Sequence, residues 1–230
     1  MTQRSYWFDA PVVRVLRVIV GAGAVVTVIV NMGIVASLPE GLDVAEYFSF
    51  FTNLTNLLAG VVFIISGLRT RSRLPRWWDG LRGAVAVYLA LTGVVFALLL
   101  AGLPSAGTIT PWVNAVVHQA MPIIAVVDWL LIPAAVRAVW WRPLAWLAYP
   151  IAYLAYTLIR GAFVSWYPYP FLDPTLEGGY ARLLTSAGVV VVGFLIGAII
   201  LDLVGRLRRG IALRRGGVDR EPVGADPARS

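Results

Sequence analysis

Two side chains in this 230-residue sequence have the chemistry of a nucleophile and its base: the hydroxyl of Thr52 and the imidazole of His118, the single histidine. A threonine hydroxyl is a weak nucleophile until an adjacent base takes its proton, and histidine is the most frequent such base. Asn114 lies four residues before His118, which places both on one helix face. Its amide can orient the imidazole or stabilise the oxyanion of a tetrahedral intermediate. This set favours acyl transfer.

Further polar residues follow helical spacing. Thr52, Thr55 and Asn56 are at i, i+3 and i+4, so Thr55 is a second candidate nucleophile on the same face. Tyr153, Tyr156, Thr157 and Arg160 form a stripe on another predicted helix. The predicted supporting residues are Asn114, Asn56, Arg160, Thr55 and Asn31, and the predicted substrate-lining residues are Tyr153, Tyr156, Trp166 and Tyr169.

Each of these residues also has a structural interpretation. Thr and Asn on membrane helices commonly hydrogen-bond to neighbouring helices, and a lone histidine in a helix bundle is often a satisfied core residue. Arg160 can extend to a membrane interface, and the aromatic residues around Trp166 fit an interfacial belt. Asp128 and Asp202, towards the cytoplasmic ends of their helices, are expected to pair with loop arginines rather than to form a proton relay.

Composition decides the environment of these residues. The chain is 59% hydrophobic and 13% charged, whereas soluble domains carry about 25% charged residues. A membrane helix needs about 20 apolar residues. Six segments meet that length: Val13–Ser37, Phe48–Leu68, Leu81–Leu103, Val113–Val136, Leu144–Ser165 and Leu183–Val204. The sequence therefore predicts an all-α polytopic membrane protein, a six-helix transmembrane domain over 1–205.

Arginine alternates between the connections. The N-terminus, the second and fourth connections and the segment after 205 are arginine-rich, and the first, third and fifth connections are arginine-poor. This positive-inside pattern predicts both termini in the cytoplasm, with 206–230 a basic and then disordered tail. It also places Asn31, Thr52, His118 and Arg160 at one level, in the outer half of the membrane. A site at that depth suits a lipid that arrives from the bilayer.

The composition also excludes several classes of function. All 19 basic residues are arginines, so no lysine is present to form a Schiff base. There is no cysteine and one histidine, which argues against a thiolate metal site, and we predict neither a metal nor a cofactor. The net charge of +7 resides in short connections and fits anionic lipid headgroups better than nucleic acid.

Three short motifs resemble the androgen-induced protein 1 family, which includes the androgen-dependent TFPI-regulating protein. They are Phe50-Phe51-Thr52-Asn53, then Asn114 and His118 followed by Pro122, and the stretch from Tyr169 to Asp173. The resemblance implies a multispanning membrane enzyme with a Thr nucleophile on Thr52 and a His on His118, acting on fatty acid esters of hydroxy fatty acids. The interval from His118 to Pro122 is one residue shorter than in that family, and the arginine-only composition suggests a bacterial inner-membrane relative.

The sequence thus favours an intramembrane hydrolase of lipid esters, with a membrane lipid as its partner and no nucleic acid. Three alternatives stay open. The polar level could be the solute site of a transporter, although the two halves show no repeat. The chain could be a non-enzymatic lipid-binding protein, or it could transfer the acyl group to a second lipid rather than to water.

Overall fold

The computed structural model describes residues 8–39, 41–102, 110–132 and 139–218, and this described part contains helices and no strand. The α-helices are α1 Pro11–Ala36, α2 Val44–Tyr47, α3 Phe51–Leu68, α4 Trp78–Val95, α5 Pro111–Ala115, α6 Met121–Leu131, α7 Arg142–Trp146, α8 Ala148–Val164 and α9 Gly179–Val218. Two 3₁₀ turns, Arg71–Arg73 and Pro170–Leu172, and two π-helical turns, Phe96–Leu100 and Val116–Ala120, complete the list.

Six of these helical stretches are long and apolar enough to cross a membrane, which confirms the predicted all-α, six-helix class. We call them spans 1 to 6: Pro11–Ala36, Phe51–Leu68, Trp78–Leu100, Pro111–Leu131, Arg142–Val164 and Gly179–Arg208. Predicted and observed ends differ by at most four residues where both are described. The predicted ends at Leu103 and Val136 lie outside the described residues.

The region after 205 begins as helix. α9 continues past Val204, the predicted end of the sixth membrane segment, and ends at Val218. Residues 219–230, about half of the predicted tail, lie outside the described residues. The cytoplasmic position of both termini stays a prediction from the arginine pattern.

Local sequence explains where several helices start and stop. Pro11, Pro111 and Pro143 lie in the first turn of their helices, where proline loses no hydrogen bond. The carboxylate of Asp43 accepts the main-chain N–H of Glu46 at 2.9 Å and caps α2. α8 ends where Ser165 turns into the left-handed region at φ 54°. These signals fix the starts of α1, α2, α5 and α7 and the end of α8.

Spans 1 and 2 approach closely at a position where both carry glycine. A methyl group on Gly21 would lie 2.6 Å from the main-chain oxygen of Gly60, so this crossing leaves no room for a side chain. Small residues that let helix backbones meet are the usual packing device in membranes, where burial of apolar surface supplies little force. Span 3 packs against span 2, and Ala86 and Leu89 in the middle of span 3 are fully buried.

A buried ionic network closes the arginine-rich end of the bundle. Asp128 of span 4 pairs with Arg17 of span 1 at 2.8 Å and with Arg82 of span 3 at 2.6 Å. Arg82 also pairs with Asp79 at 3.1 Å, and Asp79 with Arg71. The ring of the fully buried Phe8 lies 4.2 Å from the guanidinium carbon of Arg17.

Asp202 forms a second ionic cluster. It pairs with Arg142 at 3.0 Å and with Arg206 on its own helix. Both carboxylates that the sequence placed near the helix ends are thus bound by arginines, as expected. The cluster around Asp128 joins spans 1, 3 and 4, and the cluster around Asp202 joins span 5 to span 6.

Replacing Gly21 with Ala tests the helix crossing. The added methyl group collides with the main chain of span 2, and we expect a loss of about 1–3 kcal/mol in unfolding free energy. Gly23→Ala is the matched control, because a methyl group there meets nothing within 4 Å and alanine is the better helix former. Thermal unfolding in detergent should show a lower midpoint for Gly21→Ala alone. Equal midpoints would refute this account of the crossing.

Candidate active site

Thr52 and His118 meet at the ends of two different spans. Thr52 is the second residue of α3, and His118 lies in the π-helical turn of span 4. The hydroxyl oxygen of Thr52 is 3.2 Å from Nε2 of His118. Both residues are buried, with 8% and 6% of their surface exposed. This is the geometry that transfer of the threonine proton to histidine requires.

Asn114 holds the other side of the imidazole. Its side-chain oxygen lies 2.6 Å from Nδ1 of His118. An amide oxygen only accepts hydrogen bonds, so Nδ1 carries a hydrogen and donates it. In the neutral imidazole Nε2 then has a free lone pair, which accepts the hydrogen bond from Thr52. Asn114 therefore fixes the tautomer in which His118 can act as a base toward Thr52.

Two π-helical turns position His118 and the ring that stacks on it. Phe96, in the π-helical turn of span 3, stacks on His118 with ring centroids 3.9 Å apart and planes inclined by 15°. The turn at Val116–Ala120 contains His118 itself. Such turns occur frequently at functional sites, because they turn side chains out of the regular helical register. Neither π-helical turn, nor the role of Phe96, is predicted by the spacing of residues in the sequence.

Gly93 lets span 3 approach the main chain of His118. A methyl group at Gly93 would lie 2.8 Å from the carbonyl oxygen of His118 and 3.3 Å from the ring of Pro122. Any larger residue at this position would push spans 3 and 4 apart. The position of His118 is thus set by backbone contact as well as by its own hydrogen bonds.

Asn56 ties span 2 to span 4. Its side-chain nitrogen donates to the main-chain oxygen of Thr52 at 2.9 Å and to that of Val117 at 3.3 Å. Both N–H groups are thereby used, and the residue is fully buried. Asn56 holds the helix turn of Thr52 against the helix turn of His118, and it has no N–H left for a reacting oxygen.

Thr55, the second candidate nucleophile, faces another neighbour. Its hydroxyl lies 3.3 Å from the phenol oxygen of Tyr149 on span 5, and the residue is fully buried. Among the contacts of the described residues, none joins Thr55 to His118. The arrangement therefore favours Thr52 over Thr55 as the residue that the histidine can activate.

A cavity opens beside Thr52. Its volume is about 70 Å³, and Thr52 lines it while His118 does not. The other lining residues are mostly apolar and come from spans 3, 5 and 6 and from the 3₁₀ turn, among them Leu91, Val95, Phe171, Leu172 and Phe194. Thr52 thus contacts the base His118 and also lines an apolar chamber.

The predicted lining residues Tyr153 and Tyr169 are both part of this chamber. The hydroxyl of Tyr153 donates to the main-chain oxygen of Ser49 at 2.7 Å. Tyr169 and Thr52 both line the chamber. Burial raises the pKa of the Tyr169 phenol, and Thr52 and the nearby main chain lower it in part. The phenol is therefore neutral at physiological pH and can donate a hydrogen bond beside Thr52.

The other predicted residues do not line this cavity and are not at the Thr52–His118 contact. The hydroxyl of Tyr156 is 2.9 Å from that of Ser49. Trp166 packs edge-on against Phe50 at 5.7 Å, and the guanidinium carbon of Arg160 lies 5.2 Å from the Trp166 ring.

Asn31 donates to the Tyr47 hydroxyl at 3.2 Å, which fastens α2 to span 1. Within the described chain, no contact joins Asn31 or Arg160 to Thr52 or His118.

Comparison with known proteins adds no relative. No family model, no curated protein and no solved structure matches this chain. Among the residues that the structure describes, no three His, Cys, Asp or Glu side chains come together as a metal site.

Nuclear magnetic resonance can test the histidine tautomer directly, because His118 is the single histidine. In protein labelled with ¹⁵N-histidine, we expect Nδ1 to give the signal of a protonated nitrogen and Nε2 that of an unprotonated one. Replacing Asn114 with Leu removes the acceptor for Nδ1–H, and the proton should then redistribute between the two nitrogens.

The control is Thr55→Val, which removes a buried hydroxyl on the neighbouring span that does not contact His118. It should leave both nitrogen signals unchanged. A wild-type spectrum with the proton on Nε2, or an unchanged spectrum in Asn114→Leu, would contradict the assigned hydrogen bond.

Proposed function

We propose that this protein is an intramembrane hydrolase of lipid esters, with Thr52 as nucleophile and His118 as its base. The observation that carries the proposal is the contact of 3.2 Å between Thr52 Oγ1 and His118 Nε2, beside a mostly apolar cavity that Thr52 lines. A nucleophile, a base and a third group that orients the base form the usual signature of covalent catalysis. Asn114 is the third group here.

The first half of the reaction forms an acyl-enzyme. Thr52 Oγ1 attacks the carbonyl carbon of the ester while its proton passes to His118 Nε2. The tetrahedral intermediate collapses as the C–O bond to the alcohol breaks, and His118 returns the proton to the departing alkoxide. The products of this half are the free alcohol and an ester between the acyl chain and Thr52.

The second half uses water. His118 takes a proton from a water molecule, whose oxygen attacks the acyl carbon on Thr52. Collapse of this second intermediate breaks the bond to Thr52 Oγ1, which recovers its proton from His118 and releases the carboxylic acid. Positioned proton transfer of this kind contributes about 10²–10⁴ to the rate.

Tyr169 is the best-placed donor for the oxyanion. Asn56 has both N–H groups occupied, and Arg160 has no described contact with the site. The neutral phenol of Tyr169 lies beside Thr52 in the same chamber. Phenolic hydroxyls serve as oxyanion donors in other enzymes. Tyr169 therefore takes the role of oxyanion donor, for which the sequence suggested Asn114, Asn56 or Arg160.

The chamber favours a substrate with an aliphatic acyl chain. Its walls carry Leu, Val and Phe side chains, and among its polar lining groups Thr92 is bound to the Tyr88 main chain. An apolar chamber among membrane spans suits a lipid that enters from the bilayer. Fatty acid esters of hydroxy fatty acids are the substrate class that the sequence resemblance suggests, and we propose the inner membrane of a bacterium as the location.

Labelling with a fluorophosphonate tests the nucleophile. The purified protein in detergent should be labelled on Thr52, as found by peptide mapping, and Thr52→Val and His118→Ala should lose the label. Thr55→Val is the matched control, since Thr55 is also a buried threonine of α3 but faces Tyr149. It should keep the label.

A folded protein that takes no label would remove the support for a hydrolase. Label on Thr55 would reject Thr52 as the nucleophile. A labelled wild type should also hydrolyse a fatty acid ester of a hydroxy fatty acid in liposomes, measured as released acid. Movement of an intact solute across the liposome membrane, without hydrolysis, would favour the transporter alternative.

Tyr169→Phe tests the oxyanion donor. Loss of one such donor costs about 10²–10³ in kcat, and the remaining ring still lines the chamber, so KM should change little. Tyr156→Phe is the control, because it removes a phenol hydroxyl that contacts Ser49 and does not line the chamber. A fall in kcat equal in both variants, or in neither, would remove Tyr169 from the mechanism.

A further inference from the structure

A second cavity lies at the arginine-rich end, remote from Thr52. It is a groove between span 1 and span 4 with a volume of about 490 Å³. Span 1 packs against the first half of span 4, at α5 and the π-helical turn, and the groove lies along α6, the second half. Its apolar walls include Leu16 and Val20 of span 1 and Val127 and Leu131 of span 4.

The floor of the groove carries a buried arginine. Arg17 lines the groove although only 2% of its surface is exposed. Its Nε donates to Asp128 Oδ1 at 2.8 Å, but its buried Nη2, paired in charge with the same oxygen, makes no hydrogen bond within the described chain. Asp128, the acidic residue of the lining, is already bound by Arg17 and Arg82.

The mouth of the groove carries a second arginine. Trp129 of span 4 donates from Nε1 to the main-chain oxygen of Leu201 at 3.1 Å, and Gly205 leaves room for its ring. This contact brings α9 alongside span 4 and places Arg208, one turn beyond Gly205, on the groove. Within the described residues Arg208 has no ion pair or hydrogen bond, unlike Arg206, which binds Asp202.

We propose that this groove binds one anionic phospholipid. The phosphate meets Arg208, beside the buried pair of Arg17 and Asp128, and an acyl chain lies along the walls formed by spans 1 and 4. Basic pockets between membrane helices recognise anionic headgroups in this way. Charge decides the choice of occupant, because a neutral chain segment or lipid would leave Arg208 unpaired. This site is independent of the proposed hydrolase and shares no lining residue with its chamber.

Native mass spectrometry of the delipidated full chain tests the site. The protein in detergent is titrated with phosphatidylglycerol and, separately, with phosphatidylcholine, and the fraction with one bound lipid is measured. We expect preferential binding of phosphatidylglycerol. Arg208→Gln should weaken it about fivefold, the usual contribution of one arginine beside an anionic lipid. Arg76→Gln is the matched control, since it removes the same charge from an exposed residue outside the groove.

Two further variants separate the groove from general attraction. Val127→Trp fills the apolar wall, leaves both arginines in place and should also lower phosphatidylglycerol binding. A variant lacking residues 1–7 should bind as the full chain does. Equal binding of the two lipids, equal losses in Arg208→Gln and Arg76→Gln, or a site that forms only after removal of residues 1–7 would each overturn the proposal.

Discussion

Hydrocarbon offers no hydrogen bonds, so every polar side chain on these six spans must find its partner within the protein. Two sets of interhelical contacts, one near each end of the bundle, supply many of these partners. At one end, Asn56 and the chain from Thr52 through His118 to Asn114 join spans 2 and 4. At the other, Asp128 joins spans 1, 3 and 4 through Arg17 and Arg82.

Span 4 belongs to both sets, and its geometry links them. His118 and Asp128 are ten residues apart, which corresponds to about 15 Å along a helix. The π-helical turn between Val116 and Ala120 sets how the two ends face relative to each other. Close backbone contact at Gly93 then keeps the turn in place. A buried ion pair that loses one partner costs about 3–5 kcal/mol, so the ionic end anchors the helix that presents the histidine.

The sequence predicted the spans well, because the apolar runs are long and the connections short. It also brought Thr52, His118 and Asn114 to one level, since helical spacing and the arginine pattern fix depth. Rotation of one helix about its axis is not readable in this way. The sequence therefore could not predict that the Asn56 amide donates to two carbonyl oxygens or that the Thr55 hydroxyl contacts Tyr149. Nor could it predict that the Arg160 guanidinium lies over the Trp166 ring.

The ionic network has a consequence for biogenesis. A lone charged residue at the centre of a membrane helix costs about 2.5–3.5 kcal/mol on insertion, and less toward its ends. Arg17 and Arg82 precede Asp128 along the chain, so the ribosome delivers both arginines before the carboxylate that binds them. Span 4 thus enters a membrane that already holds its counter-charges. A permuted chain with span 4 first would have to insert Asp128 unpaired, although its folded contacts would be the same.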